Sequence, residues 1–448
     1  MLTRPLYFLT FLVCLAEAGK AQRQLQLNQQ YNDLVVTKKD TLRYDIRLQK
    51  GGIFQFAIEQ QGIAIAYELT DASRQVKFKS RQPQDITGFL KSEFTPAVKS
   101  EYTLKVYRFN HPENTDSGKL SIFIKSLSKA ELAERQKIKK ELTAENAKTV
   151  LTADIDHFWQ AVDALSNCKS HADSLSVIQK LYFDRATDGL IDFIAARDLT
   201  AEAQLQLVAR YPKFYASIRK STLAVKNSAD VIQDLFSKFQ ALYTNFTPFK
   251  VCFAIGILNT GGTVSDKFVL IGTEITAASK GVDVSEFIAY KETNKANMLS
   301  GDGDLTQKIR NMVAHECVHT QQKVVSDTAT KCVLLWQVLK EGICDFVGEM
   351  VAGQQINSAA HEYGSKHEKQ LWDELKSNLC SSDLSNWLYN GQRSNERPGD
   401  LGYYMGYRIA KAYYEQAADK RQAIIDMIEL TLPMQFLQKS KYAPGAGQ

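Results

Sequence analysis

Two histidines separated by one helical turn, with a glutamate directly after the first, form the segment His315-Glu316-Cys317-Val318-His319. On an α-helix, positions i and i+4 lie on one face, so both imidazoles can reach one Zn²⁺ at ~2.0–2.1 Å. Glu316 projects beside that face. From there it can take the proton of a metal-bound water, which is the arrangement of a hydrolytic zinc centre. The helix this chemistry requires is predicted from about Leu305 to Gln322, with Ile309, Met312, Val313 and Val318 as its apolar packing positions. The chain has only seven histidines, so chance seldom produces the pattern. His361 and His367 fall in a charged helical stretch and are expected at the surface. His111, His157 and His171 stand alone and receive no role.

A catalytic zinc needs a third protein ligand and an open fourth position. Lys340-Glu341-Gly342-Ile343-Cys344-Asp345 lies in an otherwise largely apolar run from Val333 to Met350. The spacing from His319 to Glu341 leaves room for a loop and a returning helix that brings the Glu341 carboxylate to the metal. Asp345, one turn further, would accept the second ring N–H of a ligand histidine and fix its tautomer. Glu349 continues the same face as a substitute ligand. An ordinary exposed helix face is the competing reading for these acids, and the apolar flanks weigh against it. Further on comes Gly402-Tyr403-Tyr404-Met405-Gly406-Tyr407-Arg408-Ile409. Tyr403 and Tyr407 are four apart on a predicted helix, and either hydroxyl, or Arg408, could stabilise the oxyanion of a tetrahedral intermediate. An aromatic core stripe is the alternative for the tyrosines. Gly402 and Gly406 would let another element pack closely.

The motif followed by a Glu-Gly-x-x-Asp helix is similar to the gluzincin zinc peptidases. The closer resemblance is to the bacterial zinc proteases of the gliding-motility-lipoprotein-like group, and it covers roughly Lys250 to Glu415. This resemblance implies one Zn²⁺ held by His315, His319 and Glu341, with Glu316 as general base and a peptide or protein as substrate. The Gly-Ala-Met-Glu-Asn segment of aminopeptidase-type gluzincins is missing, which implies an endopeptidase. The metzincin pattern also fails, because Gln322 and Val325 stand where it wants a glycine and a histidine. A zinc hydrolase of a non-peptide substrate stays open, as does a non-catalytic surface protein that binds through its N-terminal part. The intact Glu316 weighs against the second.

These residues need a scaffold, and the chain of 448 residues, 44% apolar and 23% charged, has material for several cores. Over residues 22–128, alternating segments such as Gly52-Ile53-Phe54-Gln55-Phe56-Ala57-Ile58 and Lys119-Leu120-Ser121-Ile122-Phe123-Ile124 predict seven to eight half-buried strands in a β-sandwich. With Gly62-Ile63-Ala64-Ile65-Ala66-Tyr67-Glu68-Leu69, this rhythm resembles the jelly-roll-like modules that accompany secreted bacterial peptidases. Residues 129–245 read as a helical connector and scaffold, and 246–448 as the catalytic domain. The expected class is therefore α+β and multidomain, with a jelly-roll-like β-sandwich followed by a mostly helical, thermolysin-like zincin domain that has a small β-sheet. Two apolar strands, Lys250-Val251-Cys252-Phe253-Ala254-Ile255-Gly256 and Phe268-Val269-Leu270-Ile271-Gly272, are expected to be joined by a turn at Gly261-Gly262 and to wall the substrate cleft.

Arg4, an apolar run from Leu6 to Leu15, and the small-residue patterns Ala16-Glu17-Ala18 and Gly19-Lys20-Ala21 are expected to form a cleaved signal peptide over 1–21. A secreted, periplasmic or cell-surface protein follows. Cys14 lacks the small preceding residue expected of a lipidated cysteine, and no later run is long enough to cross a bilayer. The net charge of +5, with basic residues spread along the chain, argues against nucleic acid as a partner. Cys168, Cys252, Cys317, Cys332, Cys344 and Cys380 are widely scattered. Disulfides and buried free thiols are both open for them, the latter particularly for Cys317 and Cys344.

Overall fold

The computed structural model describes residues 23–38, 40–80, 83, 86–288, 293–323, 332–390 and 397–444. The expected signal peptide, Cys14 included, lies outside the described residues. Backbone contacts divide the chain into two compact units, Met1–Lys137 and Ile138–Gln448, with the division inside the helix Lys129–Asn146.

The first unit is the β-sandwich. Its strands are β1 (Arg23–Gln24), β2 (Gln30–Thr37), β3 (Thr41–Leu48), β4 (Phe54–Gln61), β5 (Ile65–Thr70), β6 (Val76–Lys79), β7 (Gly88–Phe94), β8 (Ser100–Arg108) and β9 (Ser117–Ser126). One sheet has the order β1-β3-β8-β5-β6 and the other β2-β9-β4-β7. β2 pairs with β9, β3 with β8, β4 with β7 and β5 with β6, all antiparallel. That nesting is a long hairpin rolled up on itself, the jelly-roll arrangement. Alternation sets the packing: in β4, Phe54, Phe56 and Ile58 are buried, and they meet Leu104 and Val106 of β8 and Ile122 and Ile124 of β9 in one core.

In the second unit six helices, from Ala153–Ala164 to Ala229–Leu242, form the scaffold. Three of them begin at side-chain caps, where Ser170, Thr187 and Thr200 accept from the backbone of Asp173, Leu190 and Ala203. Their core is continuous with that of the later segments, from Leu151 to Phe436. The sheet has the order β10 (Val150–Leu151), β11 (Lys250–Ala254), β13 (Phe268–Gly272), β12 (Gly262–Val264). β10, β11 and β13 run parallel and β12 runs antiparallel along the edge. This corrects the expected hairpin. β11 and β13 are parallel neighbours, and Gly261-Gly262 opens an edge strand instead of a turn.

Four of the later helices carry the site: the motif helix Leu305–Gln321, the return helix Val333–Ala352, the cross helix Ser358–Lys376 and the tyrosine helix Leu401–Gln416. Cys332, at the start of the return helix, is bridged to Cys380. Cys168, Cys252, Cys317 and Cys344 are free thiols, the last three buried. Among the described residues no helix is long and apolar enough to cross a membrane.

Candidate metal centre

The motif helix starts at Asp304, whose carboxylate accepts from the Gln307 backbone N–H. Three turns later His315 and His319 point from the face turned to the return helix. Their Nε2 atoms lie 3.2 Å apart, and Oε2 of Glu341 is 3.1 Å from Nε2 of His319 and 3.4 Å from Nε2 of His315. Ligand atoms held tetrahedrally at zinc's usual bond lengths are about 3.3 Å from one another. The two nitrogens and one oxygen therefore fit a single zinc ion as they stand.

Each imidazole is also fixed from behind. Asp345 Oδ1 is 2.8 Å from Nδ1 of His315, and Asp345 Oδ2 accepts from Nδ2 of Asn357 at 2.7 Å. His319 Nδ1 is 2.9 Å from Oε1 of Gln322, and the Cys344 sulfur lies 3.3 Å from that same Nδ1. His315, His319 and Cys344 also form a possible donor group. The sulfur, however, approaches His319 on the ring nitrogen that already faces Gln322, whereas Glu341 sits between the two Nε2 atoms. Burial also pushes the Cys344 thiol well up. Tyr389 donates its hydroxyl to Glu341 Oε1 at 2.8 Å, although the residue is 62% exposed. The charges agree with this geometry. Burial favours the neutral Glu341 carboxyl, but the two imidazoles outweigh it and hold the group well below its usual range.

Glu316 is buried, and burial raises its carboxyl against the pull of His319 and His315. Its carboxylate passes close under β12, where a Cβ on Gly262 would sit 2.6 Å from Glu316 Oε1. The bare Cα of Gly262 is what lets the edge strand approach the motif helix. The loop entering this strand is held by Glu274, which accepts from Gly256 N at 2.7 Å and from Leu258 N at 2.9 Å. Burial pushes the Glu274 carboxyl up to about 7.

The return helix meets the tyrosine helix backbone to backbone, with Gly342 against Gly406. This crossing sets the Tyr403 ring 5.9 Å from the His315 ring in a stacked orientation. The Tyr403 hydroxyl has no hydrogen-bond partner among the described residues, and burial with the nearby Glu341 charge keeps it protonated. Tyr407 goes elsewhere. Its hydroxyl lies near the Glu349 carboxylate, and its ring packs on His361 and Phe346. Glu349 is thereby turned to Tyr407, and Arg408 to Glu368 at 2.8 Å. His361 is buried, not at the surface, because its side of the cross helix lies on Tyr404 and Tyr407. Sequence reasoning gave Gln322, Tyr389 and Asn357 no role at the site. Only for Gln322 was there a signal, in its place one turn after His319 where the helix ends.

The donor assignment can be tested directly. Glu341→Ala should weaken zinc binding by more than ~100-fold, beyond the ~10–100-fold typical of losing an outer partner, while Cys344→Ala should change it by at most about 10-fold. Competition with a chromophoric zinc chelator measures both. Reversed magnitudes would give the third ligand to Cys344.

Residues 292–431 match the family described as "Predicted Zn-dependent protease (DUF2268)". The matched span includes His315, His319, Glu341, Asp345 and Tyr403, and at this coarse level it supports a zinc-dependent protease. Among solved structures, the chain is similar to the pre-peptidase C-terminal domain of collagenase from Bacillus anthracis. There the identity is 14%, the TM-score 0.20, and the match covers 25% of this chain and 100% of that one. It is also similar to PliG, a periplasmic inhibitor of g-type lysozyme from Aeromonas hydrophila, at 12% identity and TM-score 0.19, over 24% of this chain and 96% of that one. A third similarity is to the IMPa metallopeptidase from Pseudomonas aeruginosa, at 8% identity and TM-score 0.12, over 91% of this chain and 51% of that one. No curated protein matches the chain.

Proposed function

We propose that this chain is an exported zinc metallopeptidase of the gluzincin kind, an endopeptidase that holds one Zn²⁺ with His315, His319 and Glu341. The observation that carries this reading is the set of three donor atoms, Nε2, Nε2 and Oε2, separated by 3.1–3.4 Å, with a buried, non-ligating Glu316 beside them. Bound zinc would polarise the scissile carbonyl and bring the pKa of its water towards ~7.

The chain's own groups do the rest. Glu316 takes the proton of the attacking water on its carboxylate and later delivers it to the nitrogen of the leaving amine. Burial suits it to the first step, because it raises the carboxyl above its ordinary value and so favours taking up the proton. The Tyr403 hydroxyl donates to the oxyanion of the tetrahedral intermediate. β12 is paired only on its β13 side among the described residues. Its free edge can add an extended peptide as a further strand and lay the scissile bond over Glu316. Asp345 and Asn357 hold His315 in place throughout.

The test is zinc content by elemental analysis of purified mature protein, together with casein cleavage with and without phenanthroline. One zinc per chain and chelator-sensitive cleavage are expected. Zinc without cleavage of any protein substrate would point to a non-peptide hydrolase, and protein without bound zinc would sink the reading.

A further inference from the structure

Gln322 stands where the motif helix ends. Its backbone N–H still reaches back to His319 and Val318 at 3.3 and 3.1 Å, but its own φ and ψ of −68° and 140° are extended. The chain leaves the helix here, and the Gln322 side chain lies between two elements. Its Nε2 donates to the backbone carbonyl of Lys340, the residue just before Glu341, at 2.9 Å. Its Oε1 faces Nδ1 of His319, also at 2.9 Å.

The chemistry of these atoms leaves one consistent assignment. A backbone carbonyl can only accept, so the amide must turn its NH₂ to Lys340 and its oxygen to His319. An amide oxygen can only accept, so His319 must carry its proton on Nδ1. A metal-binding imidazole is neutral and holds one ring proton, so in that form the lone pair is left on Nε2, which faces Glu341 and His315. The Cys344 sulfur, 3.3 Å from the same Nδ1, is a weak acceptor and cannot by itself impose this orientation.

We infer that Gln322 is a positioning residue for the metal centre: anchored on the Lys340 carbonyl, it selects the His319 tautomer and ties the two ligand-bearing helices together. The inference rests on the reading that His319 is a zinc ligand. It also makes the two histidines unequal, since His315 is backed by a carboxylate and His319 by a neutral amide.

Three forms of the full chain test it: wild type, Gln322→Leu and Gln322→Glu. Leucine keeps the side chain's bulk but accepts no hydrogen bond, whereas glutamate still accepts from Nδ1. Zinc affinity is measured by chelator competition, and the tautomer of His319 by ¹⁵N NMR of histidine-labelled, zinc-free protein. Gln322→Leu should bind zinc ~10–100-fold more weakly, the usual loss for an outer partner of a ligand histidine, and Gln322→Glu should recover most of that loss. In the wild type the His319 signal should be that of the Nδ1–H form, and in Gln322→Leu it should move towards Nε2–H. Unfolding midpoints of the zinc-free forms should agree, which separates this role from a purely structural one. Equal zinc affinity in Gln322→Leu and wild type, or a neutral wild-type His319 protonated on Nε2 and not on Nδ1, would overturn the inference. A wild type that binds no zinc would instead overturn the functional reading beneath it.

Discussion

Glu316→Gln is expected to keep one zinc per chain and to lose about 10²–10⁴-fold in kcat/KM for a peptide substrate, the usual contribution of a positioned acid–base group. The amide matches the carboxylate in size, so the space under Gly262 stays filled and the strand-to-helix contact survives. It cannot accept a proton, and the water would attack unassisted. The loss corresponds to roughly 3–5 kcal/mol of transition-state stabilisation, at 1.36 kcal/mol per tenfold. Zinc content is the control that gives the result meaning. His315→Ala should lose both metal and turnover, so the two variants separate the base from the ligands. Activity of Glu316→Gln within threefold or so of wild type, with zinc bound, would remove Glu316 from the mechanism.

A larger effect on folding is expected at the crossing of the return and tyrosine helices. A Cβ on Gly406 would lie 1.9 Å from the Val338 carbonyl oxygen, and one on Gly342 would lie 2.2 Å from the Gly406 carbonyl carbon and the Tyr407 nitrogen. These neighbours are all backbone, so no rotamer change relieves the clash and the helices themselves must separate. Overpacking of this kind typically costs ~1–3 kcal/mol and occasionally more, and two rigid backbones belong at the upper end. Gly406→Val should therefore lower the unfolding midpoint of the second unit sharply. It should also reduce zinc binding, because Glu341 adjoins Gly342 on one helix and Tyr403 lies one turn before Gly406 on the other. Gly301→Ala is the matched control, since its nearest neighbour would be 3.5 Å away and the change should stay within about 0.5 kcal/mol. Thermal unfolding of the zinc-free proteins compares them, and a Gly406→Val protein as stable as the control would mean that the crossing can open without cost.

Local periodicity accounts for what could be read directly. Phe54, Phe56 and Ile58 alternate along β4 and are buried together, because successive side chains of a strand must face opposite ways. The same logic failed where a residue's role lay in a distant element. Gly261-Gly262 carries every local mark of a turn, yet Gly262 serves a close approach to Glu316 from across the unit. Tyr403 and Tyr407 share one face by spacing, and only the angle at which their helix crosses its neighbours gives His315 to the first and Glu349 to the second. His361 sits in a charged stretch of chain, and its burial comes from the tyrosines beneath it.

By itself, then, the sequence determined the strand rhythm of the sandwich, the motif helix, and the fact that His315 and His319 share one face of it, since each follows from backbone geometry over a few residues. The tertiary structure decided that Glu341 Oε2 stands between the two Nε2 atoms, that Asp345 and Gln322 back different imidazoles, that Tyr389 reaches Glu341 and that Cys332 joins Cys380. Those pairings depend on where separate helices cross, and the crossing is set by close packing across the whole unit, which no short stretch of chain encodes.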